Sequence, residues 1–192
     1  MNFTEYMPLA LRTAKPHPHE QQVMHALLGL VTEIGELADA IKRHAIYGKP
    51  LDKVNVMEEC ADCWWYLNLF MYEKHLAASL IDAAWAQAQK TYAEDKKVPT
   101  NWELVEGMLG VSALGATLYV PEKDSGVAHR ELVELIALGL CSFLIIAETD
   151  LSTSLVTNIN KLAERYGEKY SDYRALNRDT AAERQVLEGG TS

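Results

Sequence analysis

The sequence predicts an all-α fold, a bundle of helices. Apolar residues recur at spacings of three and four through most of the 192 residues, the period of a helix that buries one face. Alternating strand patterns are scarce, and glycine and proline stand where helices are expected to end. The composition, 48% hydrophobic and 23% charged, is typical of a globular protein, so these helices should share a core.

Three helices are predicted in the first half of the chain. The first runs from Pro18 to His44 and is closed by a Tyr-Gly-Lys-Pro loop at 47–50, where glycine and proline both break a helix. The second spans Asp52 to Lys74, and the third spans Ser79 to Ala93. The polar segment 96–101, which contains a proline, is the best internal linker.

Three further helices are predicted in the second half. They run from Trp102 to Tyr119, from Ala128 to Ala147 and from Ser152 to Tyr166. A polar loop, Pro121 to Gly126, separates the first two, and a polar tail follows from Gly167.

The two halves also resemble each other weakly, which suggests an internal repeat. The segments that align are 30–36 with 110–116, Glu59 and Asp62 with Glu131 and Glu134, and Gln87 and Lys90 with Asn158 and Lys161. In that alignment Glu33 and Glu36 correspond to alanines. Residues 1–95 would then keep the acidic positions, residues 101–192 would be a degenerate copy, and together they would form one compact pseudo-dimer. A bundle without a repeat is the alternative.

Charge and composition exclude several classes of partner. The net charge is −9, which disfavours a general nucleic-acid binder or a protein that binds anionic membranes. No uninterrupted apolar stretch approaches the roughly 18 residues of a membrane span, and the N-terminus does not read as a signal peptide. The three cysteines fit a reducing compartment. We therefore expect a cytoplasmic protein with neither nucleic-acid nor membrane partners.

Two pairs of acidic residues carry the chemistry that the sequence suggests. Glu33 and Glu36 are three apart on one predicted helix, and Glu59 and Asp62 repeat that spacing on the next. Each pair lies on one helix face, and a short loop makes the helices antiparallel neighbours. Four carboxylates can then converge and bind a hard divalent cation such as Mg²⁺ or Mn²⁺. Solvated helix charges are the alternative, and a di-iron site is disfavoured because no Glu-x-x-His occurs there.

Several motifs resemble those of the MazG-type nucleotide pyrophosphohydrolases, which belong to the all-α NTP pyrophosphatases. The resemblance is to phage-type members of this group. They are E-I-G-E-L-A-D at 33–39, Y-G-K-P-L-D at 47–52, E-E-C-A-D-C-W-W-Y-L at 58–67, N-I-N-K-L-A-E-R-Y at 158–166 and L-N-R-D at 176–179. The opening residues 6–14 are similar as well. The stretch between the third and fourth of these motifs, from 67 to 158, is longer than in the usual short form, which agrees with an inserted second copy.

The resemblance implies Mg²⁺-dependent hydrolysis of a nucleoside triphosphate, (d)NTP to (d)NMP and pyrophosphate, by a homo-oligomer, a dimer. The four carboxylates would be both metal ligands and catalytic residues, holding two or more ions, and Glu36 or Glu33 would accept a proton. Lys161 and Arg165, four apart on one helix face, are candidates for binding the phosphates, with Asn158 on the same face. Trp65, three residues after Asp62, is the candidate for stacking on the base.

Other readings of the sequence stay open or are disfavoured. A P-loop NTPase is disfavoured because no G-x-x-x-x-G-K-[ST] occurs. A dUTP- or dCTP-selective pyrophosphatase and a non-catalytic nucleotide-binding sensor or scaffold are alternatives. The C-x-x-C of Cys60 and Cys63 lies in mid-helix on the apolar stripe, so we predict that it packs in the core.

Overall fold

The computed structural model describes residues 1–95, 98–119 and 125–188, with side chains for all of these except 125–127. Within these residues the chain is helical and contains no strand. In chain order the helices are α1 Phe3–Leu11, α2 His19–Ala45, α3 Lys53–Glu73, α4 Ser79–Asp95, α5 Asn101–Thr117, α6 Ser125–Ile146, α7 Leu151–Tyr166, α8 Asp172–Leu176 and α9 Thr180–Leu187. The predicted all-α class is confirmed.

The six helices predicted from apolar spacing are present as α2 to α7, and each predicted end lies within three residues of the observed one. Local capping explains where several of them begin. The side chains of Asp52, Thr100 and Asp150 accept hydrogen bonds from backbone N–H groups in the first turns of α3, α5 and α7. Gly48 adopts φ +67° between α2 and α3, a conformation that suits glycine and turns the chain back.

The predicted connections agree only in part with the structure. Of the linker 96–101, residues 98–100 join α4 to α5 and Asn101 begins α5, whereas 96–97 lie outside the described residues. In the predicted loop from Pro121 to Gly126, positions 121–124 lie outside the described residues and the last two belong to α6.

Three short helices were not predicted: α1, α8 and α9. Helix α1 is held by a capping box between Asn2 and Glu5, and it buries Phe3, Tyr6 and Ala10 although it contains a proline. Helices α8 and α9 lie in what the sequence suggested was only a polar tail.

The helices pack as two antiparallel hairpins against each other. Helix α2 packs along α3, α5 packs along α6, and α2 also lies against α5. Helix α7 packs on α3, just as α4 packs on α6, and α1 and α9 both contact α7. The relation between α7 and α3 matters for function, because it brings a late segment of the chain onto the helix that carries Glu59 and Asp62.

One continuous cluster of buried apolar side chains, drawn from α1 to α7, forms the core. Cys60, Cys63 and Trp64 are fully buried within it and the cysteines are unpaired, which confirms their predicted role in packing. Most apolar residues of α6, among them Ile136, Leu140 and Leu144, are buried against other helices of the same chain.

Candidate metal centre and adjoining cleft

Three of the four predicted carboxylates meet between α2 and α3. One oxygen atom from each of Glu33, Glu59 and Asp62 lies within 4.8 Å of the other two. Glu59 is buried, and the other two are half-buried. Glu36 is exposed and lies outside this group, although its charge still raises the pKa of Glu33 and of Glu59. The structure therefore brings the two helices together as predicted, with one member of the first pair at the edge.

Burial and mutual repulsion shift the titration of this cluster. Burial, followed by the charges of Asp62 and Glu36, raises the pKa of Glu33 to about 7. The same causes in the same order raise the pKa of Glu59 to about 8. Carboxylates this close resist joint ionisation. At neutral pH the cluster must therefore hold protons or bind a cation.

Two residues of α7, Lys161 and Asn158, donate hydrogen bonds to Asp62. Lys161 is 1% exposed, and its Nζ lies 2.5 Å from Asp62 Oδ2 and 3.3 Å from Glu58 Oε1. Burial alone would lower the pKa of Lys161, but the two carboxylates outweigh it and raise that pKa. Asn158 donates from Nδ2 to Asp62 Oδ1 over 3.0 Å and accepts from the Tyr6 hydroxyl over 2.7 Å. Both oxygens of Asp62 are thus fixed in direction.

These contacts bear on the predicted phosphate-binding residues. Lys161 and Asn158 do lie beside the acidic cluster, so the site is a composite of residues from distant parts of the chain. Both are buried against Asp62 and neither lines the adjoining cleft. Arg165, one turn further along α7, does line it.

A cleft of about 280 Å³ opens beside Glu33 and Asp62. Its aromatic walls include Trp65, whose ring centroid lies 4.8 Å from that of Tyr66 in an edge-on arrangement. The Trp65 indole donates to Thr13 Oγ1 over 2.9 Å, which fixes the ring. His25 packs edge-on against both rings. The cleft therefore combines acidic groups at one end with aromatic surface.

The lining of the cleft also includes basic residues and further aromatic ones. They are Lys15, His17, Arg165, Tyr166 and Tyr170. Lys15 forms an exposed ion pair with Asp172 of α8, and the backbone N–H of Tyr170 donates to the carbonyl of Arg12. These contacts bring the chain after Gly167 across one side of the cleft.

Sequence reasoning missed several of these residues. Tyr66 directly follows the predicted Trp65, and its helix face could have indicated it. Tyr166 follows Arg165 in the same way. Glu58 directly precedes Glu59, and its place in the same motif could have indicated it. Tyr170 and Lys15 carry no local signal, because only the packing of α1 and α8 against α7 brings them near the site.

Within the described ranges, no single helix has the length and apolar composition to cross a membrane. The helices at Ala128–Ile146 and Leu151–Tyr166 reach that composition only as a pair, and a bend of 93° separates them.

Compared with family models, with curated proteins and with solved structures, the chain has no match. The resemblance to the MazG-type enzymes thus rests on the motifs quoted above, and the activity that it implies stays a prediction.

Proposed function

We propose that this protein is a metal-dependent nucleoside triphosphate pyrophosphohydrolase that converts (d)NTPs to (d)NMPs and pyrophosphate. The observation that carries the proposal is the clustering of Glu33, Glu59 and Asp62 oxygens within 4.8 Å at the end of a cleft with aromatic and basic walls. A nucleotide has matching parts: a base that stacks on aromatic rings and a phosphate chain that binds guanidinium groups.

The donor set fits Mg²⁺ or Mn²⁺. These ions prefer carboxylate oxygens to nitrogen or sulfur ligands, and the three clustered side chains offer only oxygen. Burial, followed by the neighbouring carboxylates, raises the pKa of Glu33 and of Glu59, and a bound cation would favour their ionised forms. Glu36, at the edge, could join the ligands through a change of side-chain rotamer.

The protein's own groups have distinct parts in the proposed reaction. The oxygen of water forms a bond to the α-phosphorus, the bond from that phosphorus to the bridging oxygen breaks, and pyrophosphate leaves with the electron pair. Glu33 lines the cleft and is the carboxylate that we propose accepts the proton of water. Lys161 and Asn158 keep Asp62 oriented, Arg165 binds phosphate, and Trp65 stacks on the base.

A bound divalent cation would supply the remaining chemistry, neutralising the phosphate chain and lowering the pKa of the attacking water. This makes the activity dependent on added metal and sensitive to chelators.

The test is to incubate the protein with a panel of NTPs and dNTPs plus Mg²⁺ or Mn²⁺ and to measure monophosphate and pyrophosphate. We expect Asp62→Asn and Glu59→Gln to lower kcat/KM at least about 100-fold, because metal catalysis supplies several kcal/mol of transition-state stabilisation. Glu106→Gln, at an exposed position on α5, is the matched control. Full activity in the Asp62 variant contradicts the site, and nucleotide binding without turnover favours a sensor.

A further inference from the structure

Glu183 of α9 is a buried carboxylate outside the acidic cluster. Its side chain is 5% exposed, a depth at which carboxylates require charged or hydrogen-bonding partners. It is absent from the lining of the cleft, and no motif of the sequence analysis pointed to it. Its burial therefore needs an explanation.

Two arginines surround this carboxylate. Arg165 donates from Nε to Oε1 over 2.9 Å and from Nη2 to Oε2 over 2.5 Å. Arg178 donates from the same two nitrogens to the same two oxygens, over 3.3 Å and 2.8 Å. Burial alone would raise the pKa of Glu183, but the hydrogen bonds and charges of the two arginines outweigh burial and lower that pKa to about 2. Glu183 thus stays ionised, and the triad of Glu183, Arg165 and Arg178 carries a net charge of +1.

The position of this triad relates it to the cleft. Arg165 lines the cleft together with Glu33 and Asp62, and its charge partly offsets the raised pKa of Glu33. Arg178 lies between α8 and α9, and its side chain is 45% exposed. A guanidinium has five N–H donors, so Glu183 occupies only part of each arginine. Among the residues that the structure describes, the Nη1 groups of both have no acceptor and are left for a ligand.

We propose that Glu183 is a positioning residue that holds Arg165 and Arg178 together as a paired binding group for the phosphate chain of the substrate. This inference rests on the proposed function and extends it to α9. Glu183 itself does not line the cleft. Two guanidiniums held on one carboxylate suit a polyphosphate, because the N–H donors that Glu183 does not use can reach different phosphate oxygens.

The test uses the full chain and inorganic tripolyphosphate with Mg²⁺ as the probe, measured by isothermal titration calorimetry. We expect Glu183→Gln to weaken tripolyphosphate binding roughly tenfold to a hundredfold, as expected when charge-assisted hydrogen bonds lose their geometry. Glu188→Gln, which removes the exposed partner of Arg184 on the same helix, is the matched control and should bind as the native protein does. Because the Arg178 side chain is about half exposed and Arg165 still pairs with Glu183, Arg178→Ala should fold and show a similar loss of affinity.

Kinetics separate a positioning role of Glu183 from a merely structural one. If Glu183 acts through the arginines, KM for the nucleotide rises in Glu183→Gln while kcat changes less than about threefold and Mn²⁺ affinity is unchanged. Parallel loss of Mn²⁺ affinity, or native tripolyphosphate affinity in Arg178→Ala, overturns the inference. Tripolyphosphate binding that depends on Glu183, without hydrolysis of any nucleotide, supports the inference and refutes only the proposed activity.

Discussion

Glu33 and Glu36 occupy different environments although they belong to one motif. Three residues along a helix turn the side chain about 60° away from the first direction. Glu33 therefore points toward α3 and is half-buried, whereas Glu36 is exposed. The spacing predicted that both would face α3, but only Glu33 joins Glu59 and Asp62. The division of labour between them depends on how α2 is rotated against α3, which spacing alone does not specify.

At the same scale, the raised pKa values of Glu33 and Glu59 predict a stability that depends on pH. The pKa values of Glu33 and Glu59 in the folded protein, about 7 and about 8, lie above the ordinary 4.5. At pH values between 4.5 and these pKa values, the folded protein therefore binds more protons than the unfolded chain. Stability should thus fall as pH rises from about 5 to 8. Melting temperatures measured in chelator across this range check the prediction.

Two comparisons accompany that measurement. Mn²⁺ should flatten the fall, because the cation stabilises the ionised carboxylates. Glu59→Gln should flatten it as well, since a neutral amide does not titrate. A melting temperature that rises with pH in the metal-free native protein contradicts the assignment.

At the scale of the helices, the predictions succeeded wherever one helix buries a long apolar stripe of its own. Helices α2 and α3 are of this kind, so their antiparallel pairing and the meeting of their carboxylates followed from the sequence. Helix α9 buries only Glu183 and Leu187, and its main partner, Arg165, lies on α7. Helix α1 buries Phe3, Tyr6 and Ala10 at spacings of three and four, but it is only nine residues long and contains Pro8. Short helices that are held by side chains from distant parts of the sequence therefore cannot be predicted from their own residues alone.

The close approach of α2 and α3 beside the cleft gives a second prediction. A Cβ atom at Gly29 would overlap the ring of Tyr66, which lines the cleft. We expect Gly29→Ala to destabilise the fold by about 1–3 kcal/mol, the usual cost of overpacking, and to displace that ring. Urea denaturation measures the loss.

Gly110 on α5 is the matched control for this substitution. Nothing lies within 4 Å of a Cβ atom there, so Gly110→Ala should stabilise the protein by about 0.5–1 kcal/mol through the helix propensity of alanine. Equal effects of the two substitutions on stability would show that crowding by Tyr66 is unimportant.

At the scale of the whole molecule, the packing supports the proposal of a duplicated chain. In a duplicated chain, α2, α3 and α4 would correspond to α5, α6 and α7. The contact between α3 and α7 then corresponds to the contact between α6 and α4, and the contact between α2 and α5 corresponds to itself. The groove between α4 and α6 contains Gln87, Glu131 and Glu134, which align with Asn158, Glu59 and Asp62. The facing α5 positions, however, hold alanines where α2 has glutamates.

This comparison predicts a single metal centre per chain. Glu131→Gln combined with Glu134→Gln should leave Mn²⁺ stoichiometry and affinity unchanged, because that groove lacks the two α2 carboxylates and Glu134 already pairs with Arg130. Glu59→Gln combined with Asp62→Asn should abolish binding. Titration followed by electron paramagnetic resonance distinguishes them, and weaker binding in the first double variant contradicts the proposal.

The dimer expected from the family resemblance also stays a proposal. The apolar character of α6 is explained by the core of the chain itself. Met24, Leu28 and Val31 are exposed at spacings of four and three on α2 and offer a better contact surface. Leu28→Glu should convert a dimer to a monomer in sedimentation analysis, and a native protein that is already monomeric contradicts the proposal.

The ion pair between Asp62 and Lys161 joins residues 99 positions apart, which has a consequence during synthesis. At roughly 5–20 residues per second, a ribosome needs about 5–20 s to add that length of chain. Throughout this interval the nascent acidic cluster has no Lys161 to balance it. Until Lys161 is added, Asp62 and Glu58 lack the ammonium group that pairs with them in the finished fold, so balancing these carboxylates at that stage depends on protons or cations from solution.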